Sequence, residues 1–125
     1  MDYTTKRILV ADSIPHVRFM IYNVLTEMYH VSCVSTGRQL YVMLTECKND
    51  FDLVIADIGM NGYGSIESVE MAKVFGCDIP ILFTTSDMSI AGDLPRRSYL
   101  LMKPFTSIDL MTSVKNILSK TQSSF

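Results

Sequence analysis

The residues best equipped for chemistry stand where apolar runs end. Ile8-Leu9-Val10-Ala11 stops at Asp12-Ser13, and Leu53-Val54-Ile55-Ala56 stops at Asp57. Ile81-Leu82-Phe83 leads into Thr84-Thr85, and Leu100-Leu101-Met102 into Lys103-Pro104. Carboxylates brought close together repel and call for a cation, and an all-oxygen ligand set suits a hard ion such as Mg²⁺. A carboxylate, a metal, an ammonium and a hydroxyl are the parts needed to accept a phosphoryl group: the cations neutralise its oxygens while the carboxylate attacks. Other phosphate-binding designs are missing. There is no GxxxxGK[ST] loop, and no GxGxxG follows the first run, which continues as Ser13-Ile14-Pro15-His16. The Ser/Thr/Gly-rich loop expected of a flavin binder is absent there too. What remains is phosphate held covalently on Asp57.

Such a site needs elements that bring those run ends together. Five runs, Arg7–Ala11, Val31–Ser35, Asp52–Ala56, Pro80–Thr84 and Tyr99–Met102, are rich in Ile, Val and Leu and are mostly unbroken by polar residues. Unbroken apolar runs of this length predict strands covered on both faces, hence a parallel sheet. Helical spacing fills the gaps between them. Ile14, Val17, Ile21, Val24, Leu25 and Met28 share one face, and Leu40, Met43, Leu44 and Cys47 another. Ile66, Val69 and Ala72 repeat the pattern weakly, whereas Leu110, Met111, Val114, Ile117 and Leu118 repeat it strongly. Thr106 with Asp109 reads as a capping box opening the last helix. Between Thr85 and Tyr99 a helix would have to pass Gly92 and Pro95, so the fourth helix is expected to be short or irregular. The alternation predicts an α/β fold with a doubly wound parallel sheet and right-handed crossovers. In such sheets ligands bind beyond the carboxyl ends of the strands, where these polar residues fall.

Composition narrows the function classes. The 125 residues suit one domain, and 48% hydrophobic with 19% charged residues describe a globular chain. A net charge of -2 gives no basic excess for nucleic acid and no polybasic patch for a membrane. Asp12 cuts the first apolar run well short of the about 7–15 residues of a signal-peptide core. Cys33, Cys47 and Cys77 form no CxxC pair and no cluster with His16 or His30, so reduced, buried thiols in a cytoplasmic protein are expected.

These motifs, read together over about residues 7 to 120, resemble the receiver domain of bacterial response regulators. The carrying segments are Ile8 to Asp12, Asp52 to Asp57, Pro80 to Thr85 and Lys103-Pro104-Phe105. The resemblance implies a flavodoxin-like, CheY-like sheet of five strands in the order 2-1-3-4-5, with residues 1–125 a single receiver domain. It implies that Asp57 is the phospho-acceptor, that Thr85 is the switch hydroxyl and that Lys103 contacts the phosphoryl group. Mg²⁺ would be held by Asp12, Asp57, the backbone carbonyl of Gly59 and Ser13. The partners implied are a sensor histidine kinase or phosphotransfer protein upstream and a target protein downstream. No direct binding of nucleic acid or membrane is implied. Chemistry would be limited to self-catalysed phosphoryl transfer and hydrolysis, so the chain is not expected to be an enzyme. The Lys103-Pro104 bond is expected to be cis, as in the family.

Several positions depart from the family pattern. Ser13 stands where a second carboxylate is usual, so weakened Mg²⁺ binding is expected; as an alternative, Ser13 caps the first helix ahead of Pro15. The loop Ile58 to Gly64 lacks the usual proline at Asn61, leaving either a looser hinge or an ordinary turn. The stretch from Thr85 to Lys103 is short, and Leu100 replaces the usual aromatic, with Tyr99 one place earlier. Arg96-Arg97 reads as a solvated pair, His16 as an exposed first-turn residue, and most of the nine methionines as core packing. Two other function classes remain open. A pseudo-receiver would dock partners without phosphorylation. A phosphatase with an aspartyl nucleophile would want a second Asp where Gly59 stands. The chain is either a stand-alone receiver or one cut from a longer protein near Ser119–Phe125.

Overall fold

In a computed structural model, which describes residues 5–47, 49–60, 64–87, 89 and 94–122, the apolar runs form five parallel strands. In chain order these are β1 (Arg7–Ala11), α1 (Pro15–Leu25), β2 (His30–Val34), α2 (Gly37–Glu46), β3 (Leu53–Asp57), α3 (Ser65–Val74), β4 (Ile81–Thr85), β5 (Ser98–Met102) and α4 (Ser107–Gln122). The sheet runs β2-β1-β3-β4-β5, the order that the sequence implies, and every pairing is parallel. The helix expected between Thr85 and Tyr99 falls largely on residues 88 and 90–93, outside the described residues, as does the Asn61 turn.

The apolar runs are unbroken because alternate residues serve two different cores. Leu9, Ala11, Val54, Ala56, Ile81 and Phe83 pack on one face, against Leu40 and Leu44 of α2 and Val69 and Ala72 of α3. Ile8, Val10, Leu53, Ile55 and Leu82 pack on the other, against Ile21 and Leu25 of α1 and Leu110, Val114, Ile117 and Leu118 of α4. Burying a Leu- or Ile-sized side chain contributes about 1.5–3 kcal/mol, so each face supplies a substantial share of the stability. The edge strand β2 is the exception, with exposed His30, Ser32 and Cys33.

Local chemistry sets the helix ends. Thr36 and Gln39 form a reciprocal capping box on α2, and Thr106 and Asp109 exchange bonds of 3.0 Å at the start of α4. The C-terminus of α3 closes in a Schellman turn. Gly76 adopts φ 93, Cys77 N–H donates to Ala72 O and Gly76 N–H to Lys73 O. The weak apolar pattern of α3 has a physical cause: two of its core-facing positions are serines. The Ser68 hydroxyl lies 2.9 Å from both Gly37 O and Gly64 O, tying α3 to the start of α2.

Three expectations need correction. Ile14, not Ser13, is the N-cap of α1, and no side chain caps that end. Met60 is buried and Met20, Met43 and Met111 are half-buried against the cores, but Met28, Met71 and Met102 are exposed. Of the cysteines only Cys77 is buried, because Cys33 lies on the uncovered edge strand. The exposed first-turn position of His16 and the cis Lys103-Pro104 bond are both as expected. No helix among the described residues is long and apolar enough to cross a membrane.

Candidate functional site

The parallel sheet delivers Asp12, Asp57, Thr85 and Lys103 to its carboxyl edge. Asp12 directly follows β1, its N–H still bonded to Val34 O of β2 at 3.2 Å, and it is 1% exposed. Its carboxylate is fixed locally, because Oδ1 accepts the Ile14 N–H at 2.9 Å. Asp57 closes β3, where Ile58 N–H donates to Thr84 O of the neighbouring strand. Lys103 extends the β4–β5 ladder by donating its N–H to Thr85 O at 2.7 Å.

The lysine joins the two acids. Its Nζ lies 3.0 Å from Asp12 Oδ2 and 3.3 Å from Asp57 Oδ1. Two mostly buried carboxylates therefore share one ammonium, and the cluster keeps a net negative charge ready for a further cation. Asp57 Oδ1 also accepts the Gly59 N–H at 3.3 Å. Oδ2 of Asp57 accepts no hydrogen bond among the described residues, so one oxygen is anchored while the other keeps its lone pairs. An apolar pocket of about 330 Å³ lies beside this cluster, lined by Val17, Met20, Ser86, Lys103, Pro104 and Phe105.

Thr85 arrives at the same edge with its hydroxyl otherwise engaged. Oγ1 accepts the Asp87 N–H at 3.0 Å and lies 3.2 Å from Asp87 O, to which it donates. Gly59 sits two residues past Asp57, where a Cβ would meet the Asp57 carboxylate only at ordinary contact distance, 3.7 Å. Ser13 is half-buried beside Asp12. All the expected site residues thus lie at one edge, but only Lys103 touches both Asp12 and Asp57, while the Thr85 hydroxyl is bonded to Asp87 instead. Among the described residues no cluster of three His, Cys, Asp or Glu forms a ready-made metal site.

Two supporting residues escaped the sequence reading. The Ser65 hydroxyl donates to Asp57 O at 2.8 Å, linking the first residue of α3 to the end of β3. Arg18 Nη1 donates to Asp12 O at 2.6 Å from one turn inside α1. Both bonds go to backbone carbonyls, and no residue pattern marks a carbonyl as a target. Arg96 and Arg97 lie on opposite oxygens of Asp78, at 3.3 and 3.1 Å, at the other end of the sheet. They form an exposed ion-pair cluster rather than a pair facing solvent alone.

No protein-family model matches the chain. A curated relative does: the response regulator receiver protein CpdR of Brucella abortus is 31% identical over 118 residues, covering 90% of this chain and 97% of that protein. The two-component response regulator ARR14 of Arabidopsis thaliana is 33% identical over 85 residues, but this chain spans only 22% of its length. Among solved structures, a response regulator receiver protein of Sinorhizobium medicae superposes with a TM-score of 0.81 at 25% identity, over 94% of this chain and 98% of that one. With 31% identity along nearly the whole length of one receiver and the same fold as another, this chain belongs to the receiver family of two-component response regulators.

Proposed function

We propose that the chain is a phospho-accepting receiver that takes a phosphoryl group onto Asp57 and thereby switches its protein contacts. The observation that carries this reading is the Lys103 ammonium shared between Asp12 and Asp57, with Asp57 Oδ2 accepting no hydrogen bond among the described residues. Oδ2 attacks phosphorus in a phosphohistidine, and an O–P bond forms as the P–N bond breaks. The electron pair of that bond leaves on the imidazole nitrogen. Asp57 becomes an acyl phosphate, and attack of water on phosphorus later returns the carboxylate and inorganic phosphate. Lys103 offsets the charge on the phosphoryl oxygens throughout. Because the phosphoryl group is held on the chain's own Asp57 as the signal until it is hydrolysed, the chain acts as a timed switch rather than as an enzyme with a separate product.

The oxygen-only donors at this edge fit Mg²⁺. Asp12 and Asp57 would hold the ion with the Gly59 carbonyl, and Ser13 would add a neutral oxygen where a third charge would bind more strongly. The ion would supply charge neutralisation at the phosphoryl oxygens. The receiver of the sensor kinase PA1611 of Pseudomonas aeruginosa, which has the same fold, was solved with magnesium coordinated in its active-site cleft. The phosphoryl donor is a sensor histidine kinase or phosphotransfer protein. A receiver of this fold is found in the hybrid histidine kinase CckA. The output is a protein partner rather than nucleic acid or membrane, consistent with the -2 net charge, and the place of action is the cytoplasm.

The test is to incubate the chain with Mg²⁺ and acetyl phosphate and weigh the intact protein. An adduct of one phosphoryl group, lost in Asp57→Asn, is expected. The absence of an adduct at high Mg²⁺ would favour docking without phosphorylation, a reading for which Ser13 and the engaged Thr85 hydroxyl are the motivating features. Steady hydrolysis of phosphate esters would favour a phosphatase.

A further inference from the structure

Among the described residues, two buried side-chain oxygens lack a hydrogen-bond partner, Thr84 Oγ1 and Ser98 Oγ. Ser98 is a half-buried residue at the start of β5, far along the strand from the phospho-acceptor. Thr84 is 1% exposed and is strand-paired with Asp57 itself. A buried hydroxyl without a partner is destabilising, and valine would fill the same shape in a strand without that cost. Threonine at this position therefore needs a reason.

The topology supplies one. β4 lies between β3 and β5 in the sheet, so Lys103, which follows β5, must cross the end of β4 to reach Asp57 and Asp12. Residues paired in register project to the same face, and Asp57, Thr84 and Leu101 form one such row. Leu101 packs in the core beneath α1 and α4, and Lys103 follows it by two residues, on the same side. The lysine stem thus crosses β4 on the face that carries Thr84. Its ammonium has three N–H donors; one is bonded to Asp12 Oδ2, and Asp57 Oδ1 lies at 3.3 Å as an ion pair. Among the described residues the ammonium donates no other hydrogen bond, so it has N–H capacity to spare.

We propose, on the basis of the phospho-acceptor reading above, that Thr84 is a positioning residue for Lys103. Phosphorylation turns the Asp57 carboxylate into an acyl phosphate and moves its negative charge from Oδ1 onto the phosphoryl oxygens. The ammonium follows the charge, and Thr84 Oγ1 accepts one of its spare N–H groups, fixing the lysine over the transferring group. Thr84 acts separately from Thr85, whose hydroxyl is already bonded to Asp87.

The experiment compares the full chain with its Thr84→Val, Thr84→Ser and Thr84→Ala variants. Phosphorylation by acetyl phosphate with Mg²⁺ is followed by intact mass, and thermal unfolding is followed without the donor. Thr84→Val is expected to keep or raise the melting temperature while phosphorylating about tenfold more slowly, the loss typical of one bond to a charged group. Thr84→Ser is expected to recover the wild-type rate, and Thr84→Ala, the second variant should valine misfold, to be slow. A valine variant that phosphorylates at the wild-type rate would overturn the proposal. So would a serine variant as slow as valine, because shape rather than the hydroxyl would then matter. A wild-type chain that forms no adduct would overturn this proposal together with the phospho-acceptor reading. A wild-type adduct with an indifferent Thr84 would overturn this proposal alone.

Discussion

The Lys103 ammonium stands 3.0 Å from Asp12 Oδ2, and that carboxylate is 1% exposed. Asp12 has little water to solvate its charge, so the lysine and the Ile14 N–H carry that task. Replacing Lys103 with Met would leave Asp12 and Asp57 without their shared cation. Removing one member of a largely buried ion pair typically costs about 3–5 kcal/mol, and the residual exposure of Lys103 lowers the expectation to about 2–4 kcal/mol. Urea unfolding of Lys103→Met checks this, and adding Mg²⁺ should recover part of the loss. A variant as stable as the wild type would show that the two acids are solvated without the lysine.

Thr85 and Asp87 hold each other through one hydroxyl that both accepts and donates. Thr85→Ala should cost about 1 kcal/mol, the usual net value of such bonds, and should speed hydrogen exchange at the Asp87 amide. Asp87 itself is held below the usual carboxylate value of 3.8, first by the Ser89 hydroxyl and then by the Ser89 N–H. Both bonds favour the charged carboxylate, so their stabilisation is present above 3.8 and is lost as pH falls through the lower folded value. In Ser89→Ala the Asp87 titration followed by NMR should move back toward 3.8, and an unmoved titration would refute the assignment.

The helix starts separate a capping role from a metal role for Ser13. Thr106→Ala should cost about 1 kcal/mol, because Thr106 Oγ1 accepts the Asp109 N–H at 3.0 Å. Ser13→Ala should stay within about 0.5 kcal/mol of wild type, since Ile14 is the N-cap of α1. Ser13→Asp, by contrast, adds a charge beside Asp12 and should tighten Mg²⁺ by about tenfold or more, read by titration calorimetry. Equal affinities in the two proteins would show that position 13 does not face the ion.

How much of this was legible follows from which interactions leave a mark on residue types. The five-strand sheet was legible because two-sided burial demands unbroken apolar runs, and Leu9 and Val10 illustrate the two faces. The site was legible because Asp12, Asp57 and Lys103 interrupt or end those runs with charge. The start of α1 was misread because Ser13 is a good cap by type, whereas its neighbour Asp12 turns its own carboxylate onto the Ile14 N–H. The roles of Ser65 and Arg18 were hidden since both bond to carbonyls, which every residue carries. The exposure of Cys33 was missed because β2 resembles the inner strands by composition, and only its edge position distinguishes it.

That edge position leads to a pH-dependent outcome at Cys33. Partial burial raises its thiol above the ordinary 9.0, and the Arg18 guanidinium opposes the shift by favouring the thiolate. The folded chain therefore keeps this proton longer than the unfolded chain as pH rises. The neutral thiol's contribution to stability is present below 9.0 and is lost as pH climbs through the raised folded value. Alkylation by iodoacetamide requires the thiolate, so its rate at Cys33 should reach half-maximum above 9.0. In Arg18→Ala the favourable charge is gone, and the midpoint should move still higher, with slower labelling at any pH below it. Cys77, buried in the core between the sheet and α2 and α3, should remain unlabelled while the chain is folded and serves as the internal control. A Cys33 midpoint at or below 9.0, or one that Arg18→Ala leaves in place, would contradict this account of the β2 edge.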